Sequence, residues 1–284
     1  MPQIIARVPS LPVSFYYSNL SRFSSYLSFP VNTPIVSELL LRERIFAAPV
    51  TPLEYYKLLE AGCEGLSDFG LFMNPYMVND IDTTTPRGAQ AALVHAPFVL
   101  LVRKPVEECD FLNIGISHEF VHPNSEALLL TKVMLSFYWE SRHKFHADLN
   151  LEDDAWLVSG GPYTNSWSKH FFGFPYAYDL TWEYYRWRKS PFMFYRWVCA
   201  PGVDADEREN LIRVLRQALE LNLRNLSQFA NSEASIKGLN RAEVLSYLSG
   251  FGHRLGLWKN SAESQLGGLV NLLRESELNL TPVP

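Results

Sequence analysis

Cysteine is scarce. Cys63, Cys109 and Cys199 are odd in number and far apart, which fits neither a disulfide framework nor a paired CxxC zinc site. They read as reduced thiols, and the expected compartment is the cytoplasm. No uninterrupted apolar run approaches the roughly 18 residues that a membrane helix needs. The N-terminal MPQIIARVPSLPV has no charged segment leading into an apolar core of the export-signal kind, so a soluble, unexported protein is expected. Basic charge is not in excess either: 25 Lys and Arg stand against 30 Asp and Glu, a formal charge of −5, and no helix is rich in Lys or Arg. That argues against a nucleic-acid partner and leaves a small molecule as the expected one. The chain lacks a GxSxG elbow, a GxGxxG turn and a P-loop, so serine-hydrolase, dinucleotide and nucleotide sites all lack their motif. No repeat of solenoid period is present.

What is present suits a globular protein with a sizeable core: 284 residues, 47% hydrophobic and 19% charged, enough for two lobes. The chain is organised around Phe111 to Trp139. Phe111 to Ser117 is an apolar, partly β-branched run that predicts a buried strand. Asn124-Ser125-Glu126 then opens a segment with apolar Ala127, Leu128, Leu130, Val133, Met134 and Phe137, a helical spacing with Asn124 or Ser125 as N-cap. A strand ending at a helix start gathers free backbone N–H groups and the positive end of the helix dipole, a place suited to a carboxylate or phosphate. The same arrangement recurs earlier. Arg44 to Pro49 predicts a strand, and Thr51-Pro52-Leu53-Glu54 combines a Thr N-cap, Pro at the first helical position and Glu three after the cap. The expectation is two helix starts facing one another across a cleft that holds a small carboxylate.

Other elements follow from pattern. Gln3 to Val8, Phe98 to Val102, Ala155 to Ser159 and Phe192 to Cys199 predict strands; Ser37 to Arg44, Glu207 to Ser227, Asn240 to Leu248 and Ser261 to Leu273 predict helices. Ser249-Gly250-Phe251-Gly252 reads as a glycine-rich turn between the last two, and Asp68 to Gln90 as a loop-rich insertion. Gly160 and Gly161, at the exit of the Ala155 to Ser159 strand, let backbone approach a ligand closely. Strands and helices alternate to about Cys199 and give way to helices, an α/β order with late helices packing back on one lobe.

Two metal-like patterns carry little weight. His118-Glu119-Phe120-Val121-His122 matches HExxH, but the two histidines of that motif must share a helix face, and Pro123 blocks helix continuation while the residues before His118 read as strand. His143 and His146, followed by Asp148, Asp153 and Asp154, read as a solvated loop without further ligands at a recognisable spacing. No metal and no cofactor is expected.

The segments Ala48-Pro49-Val50-Thr51-Pro52-Leu53-Glu54-Tyr55, Asp154 to Gly160, Tyr178-Asp179-Leu180 with Trp182, and Pro191-Phe192-Met193-Phe194 with Trp197-Val198 occur in an order that resembles the menaquinone-biosynthesis family of the futalosine pathway. That family includes chorismate dehydratase and the related dihydroxynaphthoate synthase, and Arg241 to Leu255 is similar to its C-terminal helix pair. The resemblance implies a two-lobed fold like the type II periplasmic binding proteins, with residues 1–97 and 199–284 forming one lobe and 98–198 the other. It implies a lyase that removes water from chorismate to give 3-enolpyruvylbenzoate, without a cofactor. Ser10, Thr51, Asn124, Ser125, Ser159 and Gly160 are the residues expected to hold the substrate. The sequence departs from the family at the site rather than in the scaffold. Pro9 occupies the first-loop position where an Asn takes part in proton transfer, the Ser-Arg-Thr-Ser turn is His122-Pro123-Asn124-Ser125, and Gly161 replaces a common Asp. The proton acceptor is unassigned, with His122 a candidate by position. The alternatives are a small-anion binder that kept the site and lost the reaction, and an enzyme of the synthase type.

Overall fold

The computed structural model describes residues 3–23, 25–73, 96–121, 125–162, 173–254, 267–268 and 271–272. The chain begins β1 (Ile4–Arg7), β2 (Leu27–Pro30), α1 (Thr33–Leu41), β3 (Ala47–Val50), α2 (Pro52–Glu60) and β4 (Glu64–Met73). It continues with β5 (Phe98–Val102), β6 (Phe111–Ile116), α3 (Glu126–Phe137), β7 (Arg142–Ala147), β8 (Ala155–Ser159), β9 (Tyr176–Asp179), α4 (Leu180–Arg188) and β10 (Met193–Cys199). It ends with α5 (Ala205–Arg224), α6 (Leu226–Lys237), α7 (Arg241–Ser249) and β11 (Phe251–Arg254). Two compact units result. The first comprises Met1–Phe72, Met193–Lys237 and Phe251–Asn260, the second Met73–Phe192, Gly238–Gly250 and Ser261–Pro284.

The first unit is built on a six-stranded sheet in the order β11-β4-β10-β3-β1-β2. β1 is parallel to β2 and β3, whereas β10 runs antiparallel between β3 and β4. This pairing places residues 193–198 in the first unit, where the sequence had assigned them to the second lobe. Gly238–Gly250, expected with the first lobe, belongs to the second unit. The stripe of α5 is buried at Leu211, Val214, Leu215, Ala218 and Leu219. Asn222, which interrupts that stripe, is also buried and fully used: its amide donates to the carbonyls of Phe15 (2.7 Å) and Ser18 (3.0 Å) and its oxygen accepts from Asn19 (3.0 Å).

The second unit holds a five-stranded sheet, β7-β6-β8-β5-β9. β6 is parallel to β7 and β8, and β5 is antiparallel to β8 and β9. Val99, Leu100, Leu101 and Val102 of β5 are all completely buried, so this strand is covered on both faces, and each such side chain stabilises the unit by roughly 1.5–3 kcal/mol.

Three local expectations fail for one shared reason, that sheet pairing overrides local composition. The stretch beginning at Asp68 is strand to Met73 because β10 pairs with it; residues 74–95 lie outside the described residues. The glycine-rich turn expected at 249–252 is where β11 begins, and the loop expected around His143 and His146 is the edge strand β7, paired along its length with β6. Most of the helix expected at Ser261 to Leu273 lies outside the described residues.

Candidate functional site

In the second unit the C-terminal ends of β6, β8 and β9 and the start of β5 share one edge of the sheet, since Phe98 pairs with Ser159 and Val99 with Asp179. Ligands of α/β sheets sit beyond such carboxyl edges. β6 leads into Ser117, whose amide donates to the Leu157 carbonyl at 3.0 Å, and then into a short 3₁₀ turn, His118–Phe120. That turn lifts Glu119 over the strand ends. The Glu119 carboxylate accepts hydrogen bonds from Ser117 (2.5 Å) and Ser159 (2.7 Å). His118 Nδ1 lies 3.3 Å away on an exposed ring. Burial alone would raise the Glu119 pKa, but the hydroxyls of Ser117 and Ser159, its own backbone N–H and His118 outweigh it and hold the carboxyl below its usual range. The rings of Phe98 and Phe120 meet edge to face at 5.6 Å beside this group.

The HExxH reading has no support here: His118 and Glu119 occupy a 3₁₀ turn, and His122 lies outside the described residues. Among the described residues, no group of three or more His, Cys, Asp or Glu could hold a metal ion. His146 pairs with the buried Asp153 at 2.9 Å, and Asp153 also accepts from the Asn150 amide at 2.9 Å. These two residues therefore form a structural hydrogen-bonded pair on β7 and the turn after it, and not the solvated loop read from their sequence.

The helices that follow strands differ in what occupies their first turn. At α2 the capping box is complete. Glu54 donates its amide to the Thr51 hydroxyl at 3.3 Å, while its carboxylate accepts from the Thr51 hydroxyl (3.1 Å) and amide (3.4 Å) and from Ser37 (3.0 Å). At α4 the Asp179 carboxylate accepts from the Thr181 and Trp182 amides, and burial pushes its pKa up to about 6. Among the described residues, the N-cap Ser125 of α3, like Asn32 of α1, makes no side-chain cap hydrogen bond. Ser125 is nonetheless buried, and the helix behind it is anchored by Leu128, Leu130, Val133 and Met134.

Of the residues expected to hold a substrate, Ser10 and Thr51 follow the neighbouring strands β1 and β3 of the first unit, and Ser125, Ser159 and Gly160 belong to the second; Asn124 lies outside the described residues. The Thr51 hydroxyl is engaged by Glu54, the Ser159 hydroxyl by Glu119, and the Gly160 amide by the Pro97 carbonyl at 3.3 Å. Sequence reasoning passed over two buried polar groups in the first unit. Arg196, on β10 opposite Val50, is 1% exposed, and a lone charge inside the apolar run FMFYRWVC was the signal available for it. His253 is 4% exposed, and among the described residues neither ring nitrogen has a hydrogen-bond partner. Nothing local marks it.

No protein-family model matches the chain, and no curated protein matches it in sequence. Solved structures match it in fold. Protein AF1704 from Archaeoglobus fulgidus aligns with a TM-score of 0.65 at 12% identity over 97% of each chain. The periplasmic aliphatic sulphonate binding protein SsuA from Escherichia coli aligns with a TM-score of 0.62 at 12% identity, over 98% of this chain and 88% of that one. The Candida albicans CA3427 gene product, described as having the generic periplasmic binding protein fold, gives 0.57 at 10% identity over 100% of this chain and 92% of that one. The chain therefore has a periplasmic-binding-protein-type fold with two α/β sheets.

Proposed function

We propose that this chain binds a small hydroxylated carboxylic acid and acts on it as a hydro-lyase of the chorismate dehydratase type, in the cytoplasm. The reading is carried by where the family-like segments fall. Ala48 to Tyr55 runs from β3 through the α2 start, Asp154 to Gly160 ends β8, and Tyr178 to Trp182 makes the β9–α4 turn. All are carboxyl-edge positions, where α/β sheets hold ligands. The α3 start at Ser125 suits the acid group, because its first turn lacks a side-chain cap. SsuA, whose ligand is an aliphatic sulphonate, is consistent with an organic anion in this fold.

A second reading, a binder without the reaction, is favoured by two observations. Pro9 stands where the family has its proton-transferring Asn, and the Thr51 hydroxyl is spent on Glu54. The two readings separate in one experiment: purified protein is incubated with chorismate while loss of the diene absorbance is followed, with thermal shift as the measure of binding. Turnover that falls in Ser125→Ala supports the lyase. A thermal shift without turnover supports the binder, and neither signal rejects both.

A further inference from the structure

We infer that Glu119 makes the carboxyl edge of the second sheet a hydrogen-bond-accepting subsite, so that a ligand seated there presents a hydroxyl or ammonium group to Glu119 and carries its acid group elsewhere. The inference rests on the reading of that edge as a small-molecule site and deepens it by naming what the site selects. A serine hydroxyl has one proton and two lone pairs, and an ionised carboxylate only accepts. The hydrogen bonds from Ser117 Oγ to Glu119 Oε2 and from Ser159 Oγ to Oε1 therefore have one possible direction. The proton each serine gives to Glu119 is not available to a ligand. Glu119, with its side chain 36% exposed, presents acceptor lone pairs on a fixed negative charge.

A carboxylate brought to this edge would meet the Glu119 charge, whereas a hydroxyl or ammonium would form a charge-assisted hydrogen bond with it. Ser159, expected from sequence to hold the substrate, is thus assigned to positioning the acceptor. His118, 3.3 Å from Oε2 on an exposed ring, can offset the charge when protonated. Phe98, paired with Ser159, and Phe120 give the subsite an apolar wall suited to a carbon ring.

The test uses two matched pairs of small acids: shikimate against cyclohex-1-ene-1-carboxylate, and L-phenylalanine against 3-phenylpropionate. Midpoints of thermal-shift titrations are compared for the native chain, Glu119→Gln and Glu119→Ala, with circular dichroism confirming that the variants fold. In the native chain the donor-bearing member of a pair should bind roughly tenfold more tightly, as expected for one hydrogen bond to a charged group. Glu119→Ala should erase that preference. Glu119→Gln, which keeps an acceptor oxygen without the charge, should retain a preference for hydroxyl and lose one for ammonium. The inference is overturned if the unsubstituted acids bind equally well or better, if Glu119→Ala leaves the ordering unchanged, or if none of the four compounds binds. Because the ordering requires no turnover, failure of the dehydratase reading would register separately, in the chorismate assay.

Discussion

The Arg196 guanidinium donates to the Tyr55 hydroxyl at 3.2 Å while its central carbon lies 4.7 Å from the centre of the same ring. One tyrosine thus meets a buried cation with both its oxygen and its face, and these two contacts offset part of the cost of placing a charge inside a sheet. Tyr55→Phe keeps the face and removes the oxygen. Urea unfolding should show a loss of about 1–3 kcal/mol with an unchanged denaturant slope. Equal stability of the two proteins would mean that the oxygen contributes nothing.

Gly161 combines a positive φ of 64° with a close neighbour, since a Cβ there would lie 2.4 Å from Cδ2 of Tyr247. Gly161→Ala should destabilise the second unit through both backbone strain and collision, by an amount on the order of 2 kcal/mol. Tyr247→Ala in the same background should relieve the collision and leave the strain, so the double-mutant cycle should show a coupling energy. Strict additivity would argue against the contact.

His253 packs edge-on against Phe15 and Tyr16, with ring centroids 4.8 Å and 5.6 Å away, and burial lowers its pKa to about 3. The unfolded chain takes up this proton near pH 6.5, so between pH 6.5 and 3 the unfolded state binds more protons and stability falls as the pH falls. His253→Phe removes the titrating group and keeps an aromatic ring. The gap between the two unfolding free energies should move in favour of the variant by about 1.4 kcal/mol per pH unit below pH 6. Parallel curves would refute the buried neutral histidine.

Asp179 has the opposite sign. Its folded pKa of about 6 exceeds the unfolded value of 3.8, so in that window the folded state holds the extra proton, and ionisation above it costs stability. Asp179→Asn keeps an oxygen to accept from the Thr181 and Trp182 amides and carries no charge. At pH 7 the variant should be at least as stable as the native chain, and native stability should catch up on acidification to pH 4. Calorimetric melting points at the two pH values decide it; a lower melting point for the variant at pH 7 would show that the charge helps the cap.

Much of the scaffold was legible locally. The β5 run of consecutive apolar residues, the stripe of α5 and the Thr51–Glu54 capping box are short-range patterns, and each reports its element because burial face and cap geometry repeat within a few residues. The strands β4, β7 and β11 were not legible. Their sequences carry glycine, histidine and charge, and each is made strand by a partner from elsewhere in the chain. The site followed the same division. Thr51 and Ser125 could be named as helix starts, but whether a cap is already occupied depends on side chains that only folding brings within hydrogen-bond reach.

The amino-acid sequence by itself determined the α/β class, the helix starts and the absence of the common nucleotide and hydrolase motifs, because all of these depend on neighbours a few residues apart. The tertiary structure alone decided that β10 returns to the first sheet, and that the Ser159 proton, 40 positions along the chain from Glu119, is given to that carboxylate. The reason is physical: strand pairing and the direction of a hydrogen bond are set by which groups share a desolvated space, and no local pattern encodes that.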